Sequence, residues 1–286
     1  DEPGLERTVH GDPAAHAADD ATADSSVPSR FDWRHPSIEG VVLLLLLLVG
    51  VKIGLSPLQD NSFLTHLATG RLIFDRGGVP SVDPYSFTAH GDPWTVQSWG
   101  ASVLYAGAER TVGLVGIRVI NAAVIVALIG ALWALAKPTA SLVGRAITVG
   151  LVVCMGTGLW VERPLLFGAL GLALVLLAAE DRLDPRWLVP VMWLWANVHG
   201  SFPFGLAYLV LVAAGRWLDT RQRPRVELRA LAWATLGTAL AAIGPIGPKL
   251  LTFPLQLLSK RSAFEGVAEW EPPTWHRGVE RFFALQ

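Results

Sequence analysis

The side chains best suited to chemistry lie in one polar segment, residues 60–99, set between apolar stretches. The segment opens at Asp60, places His66 one helical turn after Ser62, and closes at Trp99. A carboxylate can take a proton from a hydroxyl, and an imidazole can bind a carboxylate or a phosphate oxygen. Because unpaired backbone groups find no water in a bilayer core, so long an irregular segment must lie outside the membrane or in a protein cavity.

Asp60 has two interpretations. It precedes a stretch whose apolar side chains recur on one helical face, which predicts a short amphipathic helix on the membrane surface. The members of that face are Phe63, Leu64, Leu67, Ala68 and Leu72. An oxygen of Asp60 can therefore cap the helix. Alternatively, Asp60 is a general base that takes a proton from an acceptor hydroxyl. A cap needs only a short polar side chain, whereas a base needs the carboxylate itself.

Two other residues of the segment have alternative roles. His66 either packs within the fold or contacts Asp60 or a phosphate oxygen. Asp83 lies in a turn in which Pro80 and Pro84 fix backbone angles. Its carboxylate is expected either to bind the local backbone or to contact a substrate or a metal ion.

Polar corners elsewhere in the chain supply further candidates. Arg163, beside Glu162 at a predicted helix start, can bind a phosphate with two hydrogen bonds or pair with Glu162. His199 is followed by Gly200, which permits the close approach of a ligand or of another helix. Trp99 belongs either to an aromatic belt at the membrane interface or to a sugar site. We therefore name His66, Asp83, Arg163, His199 and Trp99 as substrate-binding candidates.

Composition predicts a multi-spanning membrane protein. The chain has 286 residues, of which 52% are apolar and 16% charged, and its mean hydropathy is +0.43. No basic face with interleaved aromatic residues occurs, which argues against nucleic-acid binding. The single cysteine, Cys154, allows no intrachain disulfide. No His, Cys or Asp pattern in the sequence has metal-ligand spacing, so we name no metal ligand.

The chain divides into two predicted regions. Residues 1–36 contain almost no large aliphatic side chains and are predicted to form a disordered cytoplasmic tail. Residues 37–286 form the predicted transmembrane domain, whose first span covers residues 38–58. Seven further apolar stretches cover residues 96–112, 115–136, 146–160, 165–179, 187–198, 203–218 and 228–245.

Arginines set the predicted topology. Arg30 and Arg34 precede the first span, and five arginines cluster in residues 216–229, so the positive-inside rule places both regions in the cytoplasm. Residues 60–99 are then extracytoplasmic. Counting crossings between these points leaves one too many. We therefore expect one weak stretch, 96–112 or 187–198, to be re-entrant or interfacial.

A set of motifs carries a family resemblance. The motifs are D-x-S-F-x-x-H-x-x-x-G at residues 60–70, D-P-Y-S-F-T at 83–88, G-x-P-W-x-x-Q-S-W at 91–99, R-P at Arg163, H-G-S-F at His199 and E-W at Glu269. Together they resemble a group of bacterial, mainly actinobacterial, integral membrane proteins related to the GT-C glycosyltransferases. The resemblance covers about residues 38–275. It implies an all-α, polytopic helix bundle of the cell envelope.

The resemblance also implies a reaction. GT-C enzymes transfer sugars from polyprenyl-phosphate donors on the extracytoplasmic face and use an acidic residue of the first external loop, which here corresponds to Asp60. Many members pair two acidic residues in that loop. Here Asn61 follows Asp60, so the resemblance does not supply an acidic pair that could bridge a metal ion. It leaves a divalent metal ion as an open possibility and names no ligands for it. Such proteins usually continue with more helices, so we expect the domain to be truncated at its C-terminal end.

Three functional classes follow from these observations. The first is an inverting glycosyltransferase with a membrane-lipid donor and Asp60 as its base. The second is a non-catalytic scaffold or assembly subunit that keeps the fold, which the single acidic residue favours. The third is a transporter or flippase, for which only Arg118 and Lys52 are candidate charges near the midplane. The sequence names no protein partner.

Overall fold

The fold is helical throughout the part that the computed structural model describes, residues 37–139 and 141–259. In these ranges it contains ten α-helices, one short 3-10 turn and no strand, apart from an isolated bridge between Val82 and Pro93. The all-α prediction is therefore confirmed for the described residues. The predicted tail of residues 1–36 and the Glu269–Trp270 motif lie outside them.

The helices follow the apolar stretches of the sequence closely. In chain order they are α1 Ile38–Gly54, α2 Ser62–Arg76, α3 Trp99–Val112, α4 Leu114–Leu135, α5 Leu142–Gly156, α6 Leu165–Ala179, α7 Leu188–Val198, α8 Pro203–Thr220, α9 Arg225–Ala241 and α10 Lys249–Ser259. The 3-10 turn Pro185–Trp187 leads into α7. Two differences stand out: α1 ends at Gly54 rather than at residue 58, and α10 was not predicted.

One described helix is long and apolar enough to cross a membrane by itself. This helix is α4, with 22 residues. Its most apolar stretch of 18 residues has a mean hydropathy of 2.3, and half of that stretch is buried. Helices α5 and α6 are apolar but shorter, with 15 residues each. The length and composition of α4 are thus weak support for membrane association.

Glycines bring α1 and α4 into backbone contact. The compact unit that holds both contact surfaces begins at Val42. A Cβ atom on Gly54 would lie 2.2 Å from the Cα atom of Ala122, and one on Gly50 would lie 2.7 Å from Ile129. Only glycine allows such an approach, so these two positions fix where the end of α1 meets α4.

Helices α2 and α3 run side by side in the same direction, joined by close packing and by charges. A Cβ atom on Gly70 would lie 1.9 Å from the carbonyl oxygen of Ser102. Farther along the pair, Arg71 binds Glu109, and Arg110 binds Asp75 at 2.6 Å. The apolar side of α2 therefore packs on α3, while Leu64, assigned to that side from the sequence, is 54% exposed.

A tryptophan lies where α6, α7 and α8 meet. Trp195, 2% exposed, projects from α7 toward three glycines of the other two helices. Cβ atoms on Gly168, Gly171 and Gly205 would each lie within 3 Å of its indole ring. This packing fixes the end of α7, and with it the segment that carries His199.

Candidate functional site

Asp60 is bound to a residue more than one hundred positions away. Arg163 Nε donates to Asp60 Oδ2, and the backbone N–H of Ser62 donates to Oδ1 at 2.7 Å. Asp60 is only 9% exposed, whereas the Arg163 side chain is 38% exposed. The contact holds the first loop against the corner that precedes α6. The sequence predicted a phosphate or Glu162 as the partner of Arg163, and the structure gives Asp60 as one carboxylate partner.

Glu162 holds the backbone of the same segment. Its carboxylate accepts the backbone N–H of Gln59 at 3.2 Å and that of Asp60 at 3.3 Å. Glu162 is 4% exposed, so these are bonds of a buried carboxylate. Two consecutive residues thus fix Asp60, one through its backbone and one through its side chain. The sequence marked Glu162 only as a neighbour of Arg163, and no local signal pointed to Gln59.

Asp60 is ionised at neutral pH. Burial acts to raise the pKa of its carboxyl group, but hydrogen bonds from Ser62 and Arg163 and the positive charge of Arg163 lower it below the ordinary value. A carboxylate with a low pKa is a weak proton acceptor. In this arrangement Asp60 serves first as the counter-ion of Arg163. The Ser62 contact also realises part of the predicted cap, although the residue at the N-cap position itself is Asn61.

His66 lies on α2, facing α3. Its Nδ1 atom is 3.4 Å from the hydroxyl oxygen of Ser102, and its ring meets the edge of Tyr105 with the ring centroids 6.3 Å apart. Burial lowers the pKa of His66, and the negative charge of Asp60 offsets part of this effect. His66 is therefore a neutral imidazole at pH 7, close enough to Asp60 to sense its charge.

His199 follows the last residue of α7. Its Nδ1 atom accepts the backbone N–H of Ser201 at 3.2 Å and lies 2.8 Å from the Ser201 hydroxyl oxygen. Burial and the nearby His66 lower the pKa of His199 to about 4. The contact of Trp99 with Asn197 ties the end of α7 to α3, and Ser102 on α3 contacts His66, so the corner after α7 lies near α2. The structure thus brings Asp60, His66, Arg163 and His199 into one neighbourhood, which we call the Asp60 corner.

Trp99 fastens the beginning of α3 to the end of α7. Its indole N–H donates to the side-chain oxygen of Asn197 at 2.8 Å. Beside it, the amide of Gln97 donates to the carbonyl oxygen of Ala196 at 3.0 Å. These two bonds hold the segment that contains His199 beside the end of the first loop. They also occupy the N–H of Trp99, so only its ring faces are left for the predicted sugar contact.

Asp83 organises its own loop. Its Oδ1 atom accepts the backbone N–H groups of Tyr85 at 2.7 Å and Ser86 at 3.0 Å, and the Ser86 hydroxyl donates to Oδ2. These hydrogen bonds hold the pKa of Asp83 below its ordinary value. The hydroxyl groups of Tyr85 and Thr69, 3.2 Å apart, attach the loop to α2. The local role expected of Asp83 is thus visible, and its contact with a substrate or a metal ion stays a prediction.

The Asp60 corner has the chemistry of an anion-binding site with a proton acceptor nearby. It holds a half-exposed guanidinium, a buried carboxylate and two neutral imidazoles. Within residues 37–139 and 141–259, no group of three or more His, Cys, Asp or Glu side chains is arranged to hold a metal ion. A guanidinium can bind a phosphate, and a carboxylate that it releases can accept a proton.

No family model, curated protein or solved structure matches the chain. The functional argument therefore depends on the motifs of the sequence and on the geometry of the Asp60 corner.

Proposed function

We propose that this chain is a multi-pass membrane protein of GT-C-like architecture that transfers a sugar from a polyprenyl-phosphate donor at the extracytoplasmic face. The observation that carries the proposal is the contact of Asp60 with Arg163, with His66 and His199 beside it. These residues come from three separate segments of the chain: residues 60–99, the corner before α6 and the corner after α7. In the topology that we propose, all four residues are extracytoplasmic, so the fold would gather them on one side of the membrane.

The pairing of α3 with α2 supports a consistent topology. The charges of α3 are bound by α2, which is typical of a helix pair at the membrane surface rather than of a span. With α3 left out, the crossings would be α1 and α4 through α9. Starting from a cytoplasmic N-terminus, the first six of these seven crossings return the chain to the cytoplasm at the arginine cluster of residues 216–229, as the positive-inside rule requires. The surplus crossing is thereby removed.

Exposed apolar side chains support burial in lipid. Along α1, Leu44, Leu45 and Leu48 are each more than half exposed, and on α8 Leu211 is 70% exposed. Soluble monomers rarely leave large apolar patches in water. Several of the apolar helices are shorter than a full bilayer crossing, which fits spans that tilt or thin the bilayer locally.

In the proposed reaction the donor enters from the bilayer with its phosphate toward Arg163 and His66. The acceptor hydroxyl attacks the anomeric carbon of the sugar from the face opposite the phosphate. The bond between that carbon and the phosphate oxygen breaks, and its electron pair leaves with polyprenyl phosphate. Asp60 takes the proton of the hydroxyl. The products are an inverted glycoside, polyprenyl phosphate and a protonated Asp60 that returns its proton to water.

The contact between Asp60 and Arg163 has a role in this sequence. While Arg163 binds Asp60, the low pKa of the carboxyl group makes it a weak base. A donor phosphate competes for the same guanidinium, and its arrival loosens the hold on Asp60. The pKa of Asp60 then rises toward the range in which a base works well. Donor binding would thus activate the base.

The proposal is tested by turnover. The chain is reconstituted in nanodiscs that contain polyprenyl-phosphate sugars, and the release of polyprenyl phosphate is followed by mass spectrometry. Arg163→Gln removes the guanidinium, and Arg186→Gln, whose side chain is 78% exposed at the other end of α6, is the matched control. We expect release by the wild type and the control and a loss in Arg163→Gln. No release from any donor, or equal release by Arg163→Gln, would overturn the proposal.

A second candidate is a non-catalytic scaffold. The observation that favours it is that both oxygens of Asp60 are already bound, one by Arg163 and one by Ser62, as in a purely structural contact. A scaffold needs the shape of the corner and no proton acceptor. Full biological complementation by Asp60→Asn, in a chain that releases no polyprenyl phosphate, would favour the scaffold over the enzyme.

A further inference from the structure

We propose that Ser201, itself oriented by Trp195, fixes His199 as a neutral imidazole with its proton on Nε2, and that this N–H donates to an oxygen of the acceptor substrate. The identity of the acceptor rests on the proposed function, whereas the state of the imidazole does not. Ser201 and Trp195 are thus positioning residues that act through His199.

The directions of three hydrogen bonds determine the tautomer. The indole N–H of Trp195 can only donate, and it donates to the hydroxyl oxygen of Ser201 at 3.0 Å. With one lone pair so occupied, the hydroxyl hydrogen is free to point to His199 Nδ1, 2.8 Å away. The backbone N–H of Ser201 donates to the same Nδ1 atom at 3.2 Å. Because Nδ1 receives two donors, it carries no hydrogen, and the imidazole proton must lie on Nε2.

The packing keeps this relay in place. Trp195 is 2% exposed and lies against glycines of α6 and α8. A Cβ atom on Gly168 would lie 2.6 Å from the Ser201 hydroxyl and 2.9 Å from the indole nitrogen. The space that a larger residue would fill is thus the space in which the indole and the hydroxyl meet. The relay is rigid because its first member cannot rotate.

Protonation of His199 is opposed by the same bonds. A hydrogen on Nδ1 would face the backbone N–H of Ser201, leaving two donors opposite each other and no acceptor between them. Among the described residues, the titratable group whose charge reaches His199 is His66 on α2, and a second positive charge there would add repulsion. Both effects act against the imidazolium form. His199 is therefore a neutral donor and not a cationic phosphate ligand.

This state restricts what can bind. An N–H at Nε2 requires a partner atom with a lone pair, such as a hydroxyl or phosphoryl oxygen. An ammonium group offers only donors and would leave the N–H without a partner. The acceptor is thus inferred to present a hydroxyl oxygen to His199, and amines of the same shape are disfavoured.

The state of the imidazole is tested by NMR without any ligand. The full chain is labelled with ¹⁵N at its histidines and placed in nanodiscs, and the His199 signals are identified from their absence in His199→Gln. We expect two-bond couplings that place the proton on Nε2, and no protonation down to pH 5.5. A proton on Nδ1 in the wild type, or an imidazolium at pH 6, would overturn the inference.

Two variants test the relay. Ser201→Ala removes the hydroxyl and leaves the backbone N–H, so the midpoint of His199 protonation should rise by up to about one pH unit. Trp195→Phe removes one donor to the hydroxyl, so the hydroxyl holds Nδ1 less firmly, and the tautomer with hydrogen on Nδ1 should appear as a minor species. Trp193→Phe, on the same helix and 42% exposed, is the matched control and should leave the spectrum unchanged. Wild-type His199 signals in both test variants would show that the relay does not set the tautomer.

The acceptor contact is tested in the transfer assay. The side-chain NH₂ of His199→Gln lies near the position of Nε2, whereas that of His199→Asn lies near Nδ1. We expect Gln to keep the acceptor KM close to the wild-type value and Asn to raise it about tenfold, the effect of one lost hydrogen bond. Equal KM values in the two variants would overturn the contact. If the wild type transfers no sugar while NMR finds the Nε2 tautomer, the proposed function fails and the assignment of the imidazole stands.

Discussion

The two ends of α6 use arginine in different ways. At the first end, Pro164 leads into the helix, and Arg163 directly before it binds the side chain of Asp60. At the other end, Arg182 follows Ala179 by three residues and donates to the carbonyl oxygens of Ala134 and Leu135. The first arginine binds a carboxylate that a phosphate can replace, whereas the second binds backbone carbonyls in the last turn of α4.

A second arginine near the C-terminal end of α6 also binds backbone, so this end has a structural role. Arg145 on α5 donates to the Trp133 carbonyl oxygen from Nε at 3.0 Å and from Nη2 at 2.7 Å, and its guanidinium lies 4.1 Å from the centre of the Trp133 ring. Positive charges at the C-terminal end of a helix also favour its dipole. The comparison teaches that a charge bound to backbone serves stability, whereas a charge bound to an exchangeable side chain can serve a ligand.

The largest expected difference between the two ends is the side of the membrane on which each lies. Single cysteines at Ser81 and Thr220, both exposed, are introduced after Cys154→Ala removes the only native thiol. An impermeant maleimide applied to intact cells should label Ser81→Cys and leave Thr220→Cys unlabelled until the cells are opened. The reverse pattern would invert the topology, and labelling of both in intact cells would remove the membrane-spanning account.

The second difference concerns stability. Arg145→Met keeps most of the side-chain volume but removes the charged hydrogen bonds to Trp133, so the free energy of unfolding should fall by about 1.5–3 kcal/mol. Arg186→Met, at an exposed position nearby, is the control and should change it little. Unfolding in detergent measures both. If Arg145→Met instead stops sugar transfer in the protein that stays folded, the second end of α6 takes part in function and the comparison fails.

The smallest expected difference is a dependence of stability on pH that originates at the Asp60 corner. The folded pKa of His199, about 4, lies below its ordinary value of 6.5. Between these values the unfolded chain binds more protons than the folded chain, so lowering the pH destabilises the fold. Partial exposure limits the effect to about 1 kcal/mol. The melting temperature should fall from pH 7 to pH 5, and less so in His199→Gln. An equal fall in both proteins would show that a group other than His199 causes the pH dependence.

Asp60 and the arginines contribute little in that window. The pKa of Asp60 is lowered, so the stability it provides is lost only as the pH falls below about 4 and through the folded pKa. Arginines stay protonated throughout this range. A fall in stability between pH 7 and pH 5 is therefore specific to the histidines.

Most of the helices could be predicted because their apolar stretches are local signals. The bounds of α6 and α8 differ from the predicted stretches by at most two residues. The weak stretch at 96–112 illustrates the limit of such reasoning. Its apolar first half resembles a span, but Glu109 and Arg110 are bound by charges of α2, and this pairing depends on tertiary contacts. The described helix α10 was not predicted, and Pro254 lies inside it, where proline disfavours an uninterrupted helix.

The Asp60 corner was predictable in its members and not in its contacts. Asp60 and Arg163 were recognised by residue type and position, but no local pattern indicates a contact across 103 positions. The two backbone bonds to Glu162 are equally invisible in the sequence. The bond between Ser201 and His199 spans only two residues, and a His-Gly-Ser turn after an apolar stretch was a signal that could have revealed it.

The most direct measurement of the central claim is the transfer rate of Asp60→Asn. Asparagine keeps an oxygen for the Ser62 N–H and caps about as well as aspartate, while it cannot accept the proton. We expect release of polyprenyl phosphate per folded molecule to fall by roughly two orders of magnitude or more. Asp75→Asn, which changes an exposed carboxylate paired with Arg110, should transfer at close to the wild-type rate. An Asp60→Asn protein that transfers as fast as the wild type would contradict the assignment of Asp60 as the base.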